Sequence, residues 1–343
     1  MGIKDLNKVL RSKCPQVFEK IHLSEYAYTK LAIDVSLFLC KFKAISGDNW
    51  LMSFIHLICC LRNNEIHCVF IYDNGHPVEK TQEKAERVQA REKTLERITS
   101  LENAINEYEE NKTISAILQE LFDKTNVTNS SFDINIVREK VSKMRSNVFS
   151  ISASDFELTK QLFDIFKITY YMAPLEAETM CADLCKRGLV AGVLSEDTDV
   201  LAYSSPVFLT KIDVFNNTCT RILHNDILKT LKLNTEEFLD FCIMLGTDYN
   251  KNIPKVGCET SYKYIQEYRR LENMIDKIDV SFLKYERTRE LFTKYEKYEF
   301  DCDIPYNGFP DYEKLQIFLK ELNMYFDIDK IKNSYSQKIS FTI

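Results

Sequence analysis

Five short runs rich in β-branched and aromatic residues, at 30–35, 66–72, 168–172, 189–194 and 207–211, alternate with stretches of amphipathic helical pattern. That alternation is the strongest constraint on what the chain can fold into. Buried strands separated by helices predict an α/β fold with a mostly parallel central sheet flanked by helices. Open sheets of this kind bind ligands beyond the carboxyl ends of their strands. Here Asp34, Asp73 and the pair Asp197/Asp199 lie at or just past those ends.

An acid directly after a buried strand must have its charge compensated. For any single member the ordinary reading is a cap or turn residue. Glu176 and Glu178 in APLEAET suit the first turn of a helix starting near Pro174. Asp248 in MLGTDY suits a turn. The set of acids is harder to explain in this way. On a parallel sheet several of them converge on one edge with too few bases to pair them, and like charges that close repel unless cations sit among them. Oxygen ligands without His or Cys select Mg²⁺ or Mn²⁺. Two such ions about 4 Å apart can activate a water and stabilise the leaving oxygen in phosphodiester hydrolysis.

From 79 to about 147 the chain is charged, helical in pattern and poor in Gly and Pro, with an Asn/Ser/Thr-rich loop over 124–132. It reads as an insertion standing on the sheet. Lys80, Lys84, Arg87 and Arg91 recur at helical spacing and would form one stripe. The stripe reads either as a phosphate-contacting face or as a solvated helix laced with pairs to Glu79, Glu83 and Glu86. Lys140, Lys143 and Arg145 read as a solvated face. After Glu236 the chain turns helical again, with a glycine-containing turn over 246–257 and charged, tyrosine-rich helices beyond.

The opening MGIKDLNKVL and the segments AIDVS, FIYDNGHP, APLEAET, SEDTDVL, SSPVFL and DFCIMLGTDY follow one another in an order that resembles the structure-specific 5′ nucleases of the XPG/flap endonuclease family, over nearly the full length. The resemblance implies a single nuclease domain with a PIN-like core. Its parts would be an N-terminal nuclease region (1–78), a helical arch (79–150), an internal nuclease region (151–235), a helix–two-turn–helix-like DNA-binding segment (236–275) and C-terminal helices (276–343). It implies two Mg²⁺ ions, for which Mn²⁺ could substitute. Asp34, Asp73, Glu176 and Glu178 would hold the first; Asp197, Asp199 and, through water, Asp248 would serve the second. None of the seven acids is missing. Lys80 and Arg87 match the family's phosphate-gripping Lys and Arg, and Gly2, Lys84, Arg91, Lys255, Gly257 and Lys263 are the further DNA contacts it implies.

The chain departs from the family in three places. The segment IPKVGCETSYKYI keeps Gly257 but carries Lys255 in place of another glycine and Glu259 where a base is common. This puts the backbone-amide nest and its K⁺ ion in question, with Lys255 and Lys263 left to supply charge. Cys40 stands where a ring often stacks on a substrate base, and Phe38 and Phe42 read as core. The tail KISFTI lacks the glutamine-and-two-aromatics spacing of a sliding-clamp motif, so no clamp partner is expected. The texture and asparagine-rich composition resemble those of a diverged large-DNA-virus member.

The implied function is Mg²⁺-dependent hydrolysis of DNA near a 5′ flap, nick, gap or junction, leaving a 5′-phosphate and a 3′-hydroxyl. The alternatives are a 5′–3′ exonuclease, a four-way-junction resolvase or an exoribonuclease of the same superfamily, and a non-catalytic junction-binding scaffold. The net charge of −6 argues against a uniformly basic DNA-binding surface but allows an acidic pocket beside a basic face. The longest apolar run, over 51–61, is too short to cross a bilayer, and no charged-then-apolar leader is present, so no membrane association is expected. Eleven cysteines without a C-x-x-C pair read as reduced core thiols of a cytosolic or nuclear protein. Nothing in the sequence speaks to oligomeric state.

Overall fold

The computed structural model describes residues 2–125, 131–300 and 303–336. Seven strands form one sheet: β1 (Glu19–His22), β2 (Lys30–Asp34), β3 (His67–Tyr72), β4 (Thr169–Met172), β5 (Gly192–Leu194), β6 (Val207–Asp213) and β7 (Thr218–Leu223). Their order across the sheet is β1-β7-β6-β5-β2-β3-β4. Strands β6, β5, β2, β3 and β4 run parallel, whereas β7 and β1 add an antiparallel edge. The five anticipated strands are all present. The antiparallel edge was not anticipated, because β1 buries only Ile21 and β7 mixes polar and apolar residues with few inward positions.

Helices cover both faces. The two-residue period of a strand sends Ala32, Val69 and Ile71 into one core and Leu31, Ile33 and Phe70 into the other. The first core is closed by the helices Leu6–Lys13, Ala177–Lys186 and Thr235–Leu245, and the second by Val35–Ser46, Trp50–Asn63 and Ala153–Ile165. The stretch Val35–Asn63 is long and apolar enough, by length and composition, to cross a bilayer, which corrects the expectation of a short run. Here a turn at Gly47–Asn49 breaks it into two helices, and their apolar faces pack in the second core. The cysteines among the described residues are free, and all but Cys40 and Cys258 are buried.

The inserted segment has a core of its own. The helix Thr81–Asn111 carries Ile98, Leu101 and Ile105, against which Ala116–Asp123 and Ile134–Ser146 pack Leu118, Leu121, Val137 and Val141. Part of the loop expected over 124–132, and the whole tail 338–343, lie outside the described residues.

The register fixes where the acids fall. Asp34 pairs with Ile71 and Ile33 with Leu194, so β2, β3 and β5 end on one line. The segments that follow them leave the sheet at the same edge.

Candidate active site

Asp34 ends β2 and caps the helix Val35–Ser46, its Oδ1 accepting the Leu37 N–H at 3.2 Å. Asp73 follows β3 directly. Its Oδ1 accepts the Ala177 N–H at 2.8 Å and its Oδ2 the Ser36 hydroxyl. These bonds tie the ends of two strands to the starts of two helices. Glu176 occupies the N-cap position of the helix Ala177–Lys186 without a side-chain bond to it, and Glu178 sits in the first turn, where the helix dipole favours acids. Asp197 Oδ1 accepts the Asp199 N–H at 3.0 Å in the turn after β5. Asp248 stands in the loop after the helix Thr235–Leu245.

Burial, followed by the charge of Asp73, holds the Asp34 carboxyl well above its usual range. Burial and Asp197 do the same to Asp199, whose Oδ1 is buried without a hydrogen-bond partner. Glu178 is likewise pushed up, chiefly by burial, against the opposing pull of Lys80. A bound divalent cation would reverse this logic.

Lys80 is not part of an exposed stripe. It lies in a short turn, Val78–Lys80, ahead of the helix that begins at Thr81, and its side chain points into the acids. Its Nζ lies 2.6 Å from Glu176 Oε1, 3.3 Å from Glu178 Oε1 and 3.2 Å from Asp248 Oδ2. Burial pulls its pKa down, but Glu178, Glu176 and Asp248 outweigh that pull, so the ammonium stays charged. Arg87 is half exposed and reaches Asp248 at 3.1 Å while also pairing with Glu83. Lys84 and Arg91 are exposed, with no ion pair among the described residues. The expected stripe is therefore split: one buried lysine, one bridging arginine and two open cations. The flanking glutamates are engaged as well, Glu79 with Arg287 at 2.7 Å and Glu86 with Lys251 at 2.8 Å.

Gly2 abuts the cluster. A Cβ there would fall 2.0 Å from Asp197 Oδ1, and its φ of +84° lies in the region that favours glycine. Lys255, Gly257 and Lys263 lie on the surface around the start of the helix Cys258–Tyr268. Lys255, not Gly257, takes the left-handed backbone, with φ +66°. Glu259 is paired with Lys13 at 2.8 Å. Phe38 and Phe42 pack in the second core.

Sequence reasoning passed over Ser36, which holds Asp73; Tyr249, whose hydroxyl bonds Glu176; and Lys41, which pairs with Glu196 beside Asp197. Tyr249 stands in the very segment that was read for Asp248, but only the tertiary fold shows where its hydroxyl reaches.

No three His, Cys, Asp or Glu side chains among the described residues are grouped closely enough to hold one ion as they stand. Three of the acids share Lys80 instead. The chemistry of the set nonetheless fits hard divalent cations: every donor is a carboxylate, one oxygen is buried and unpartnered, and Gly2 leaves room beside Asp197 and Asp199.

Residues 1–94 match the XPG N-terminal domain and residues 167–248 the XPG I-region. The probable RAD2-like endonuclease 369L of Invertebrate iridescent virus 6 is 30% identical, over 98% of this chain and 92% of that protein. The probable RAD2-like endonuclease 076L of Invertebrate iridescent virus 3 is 31% identical, over 90% of each. Flap endonuclease 1 of Enterocytozoon bieneusi is 29% identical, over 85% of this chain and 77% of its own. Among solved structures, the catalytic core of Rad2 in complex with DNA substrate superposes with a TM-score of 0.68 at 19% identity, over 97% of this chain and 98% of that one. Flap endonuclease-1 from Methanococcus jannaschii superposes with a TM-score of 0.62 at 19% identity, over 93% and 96%.

Proposed function

Because this chain belongs to the XPG endonuclease family, whose nucleases are generally divalent-metal dependent, we propose that it is a structure-specific 5′ nuclease using Mg²⁺ to hydrolyse DNA near a 5′ flap or junction. The observation that carries this reading is the convergence of seven carboxylates on one edge of the sheet. Four of them, Asp34, Asp73, Asp197 and Asp199, have no ion pair among the described residues.

Two divalent ions bound there would supply an activated water and stabilise the leaving oxygen. Asp34, Asp73, Glu176 and Glu178 would hold the first, and Asp197, Asp199 and Asp248 the second. The chain's own groups do the remaining work. The Leu37 and Ala177 amides fix the orientation of Asp34 and Asp73 before any ligand arrives. Lys80 and Arg87 orient the scissile phosphate and offset the charge that grows on it. Lys84 and Arg91, the two open cations on the helix, hold the strand through its backbone, without regard to sequence. Gly2 lets the first residues approach the acids closely. Around Gly257, Lys255 and Lys263 meet the downstream duplex electrostatically rather than through a glycine nest.

The test is cleavage of end-labelled flap, nicked, gapped, four-way and RNA substrates by the purified protein with Mg²⁺. Cutting at the base of the flap, leaving a 5′-phosphate, is the expected result. Cutting confined to four-way junctions would remove the flap from the assignment, cutting confined to RNA would overturn it, and no cutting at all would overturn the nuclease.

A further inference from the structure

Behind Glu176 lie two buried tyrosines that the proposed chemistry does not use. Tyr249 is 6% exposed and donates its hydroxyl to Glu176 Oε2 at 2.5 Å. Tyr203 is 2% exposed, and its hydroxyl lies 2.5 Å from that of Tyr249. An ionised carboxylate only accepts hydrogen bonds. The Tyr249 proton therefore goes to Glu176, and Tyr203 donates to Tyr249. Glu176 Oε1 meets Lys80 at 2.6 Å, so both of its oxygens are fixed from opposite sides.

The chain positions of these tyrosines add to the argument. Tyr249 directly follows Asp248, and the Tyr203 N–H bonds the carbonyl of Asp199 at 2.9 Å. The phenol pair thus links the segments that carry Asp199 and Asp248 to the helix start that carries Glu176. We propose that Tyr249, supported by Tyr203, is a positioning residue that holds the Glu176 carboxylate in the orientation needed to receive a divalent cation. This rests on the assignment of Glu176 as a ligand. Partners that orient a ligating carboxylate typically govern metal affinity without touching the metal.

The competing view is that both tyrosines are core aromatics. Their rings do pack on Phe292, with centroids 5.2 and 4.7 Å away. Tyr249→Phe keeps that packing and deletes only the hydroxyl, whereas Phe292→Leu loosens the packing and leaves the hydroxyl chain in place.

Mn²⁺ binding to the DNA-free protein, followed by calorimetry, separates the two views. Tyr249→Phe should weaken binding by about 10–100-fold, and Tyr203→Phe should weaken it less. The Mg²⁺ concentration giving half-maximal single-turnover cleavage should rise in step, with the rate recovering at saturating Mg²⁺. Phe292→Leu should lower the melting temperature and leave the Mn²⁺ isotherm unchanged. A wild-type isotherm for Tyr249→Phe, or an equal loss in Phe292→Leu, would overturn the proposal. Glu176→Gln marks which premise has failed. If it binds Mn²⁺ normally, the ligand assignment falls and the proposal falls with it. If it loses binding while Tyr249→Phe keeps it, only the tyrosine role falls.

Discussion

The Lys80 ammonium lies 2.6 Å from Glu176 Oε1, a buried cation against a buried anion at the mouth of the insertion. Removing one partner of a buried pair strands the other, at a typical cost of about 3–5 kcal/mol. Here Lys80→Ala would strand Glu176 and Glu178 and leave Asp248 to Arg87 alone. In chelator its urea midpoint should fall by a corresponding amount, and added Mg²⁺ should restore more stability than it gives the wild type. An unchanged midpoint in chelator would contradict the reading. Arg87→Ala, at a half-exposed site, should change stability little. Both variants should slow single-turnover cleavage of a flap more than they weaken DNA binding, because they act on transition-state charge.

Two histidines outside the site should make the fold acid-sensitive. Burial, with Lys186 nearby, pulls His224 down to about 4. Burial, then Arg62 and Lys30, does the same to His67. His67 Nδ1 accepts the Asn307 N–H at 3.0 Å, which a protonated ring cannot do. Both folded-state values lie below the unfolded 6.5, so the folded state binds fewer protons in between. The stability they contribute is full above pH 6.5 and is lost as pH falls toward 4. His224, which is buried, should account for about 3 kcal/mol of that loss. Urea denaturation across this window should therefore be less steep in pH for His224→Gln than for the wild type. Parallel profiles would show that His224 is not held neutral.

Glu259 and Lys13 form a pair 2.8 Å apart on the surface near the Lys255 turn. Glu259→Lys would free Lys13 and add a cation. Binding to substrates with a long duplex arm should tighten and its salt dependence steepen, by roughly one extra phosphate contact. Substrates with a very short arm should barely respond. A salt titration in Ca²⁺, which prevents cutting, reads this out. The same response at both arm lengths would show that this turn does not face the duplex.

The sheet and the acids were legible in the sequence because both depend on local pattern. Buried parallel strands read as continuous apolar runs, and an acid after such a run is conspicuous. The direction of Lys80 was not legible. Helical spacing placed it in line with Lys84, Arg87 and Arg91, but the helix begins one residue later, and the preceding turn aims Lys80 inward. The separate core of the insertion was hidden too. Ile98, Leu101 and Ile105 sit among many charges, and their partners come from two further helices. Lys255 was read as a charge standing in for a lost glycine, yet it also adopts the left-handed backbone itself, at a cost of about 1 kcal/mol. Tyr249 reaches Glu176 across 73 residues of chain, a distance that no local pattern spans.

The most direct test of the account is single-turnover cleavage of a 5′-flap substrate in Mg²⁺ by the wild type, Asp73→Ala and Asp197→Ala, with melting curves to confirm that each variant is folded. Each substitution removes an oxygen donor at the edge of the sheet and leaves the apolar cores intact. The account predicts Mg²⁺-dependent cutting by the wild type and a loss of several kcal/mol of transition-state stabilisation, about a thousandfold in rate or more, in both folded variants. Wild-type turnover by either variant would contradict it.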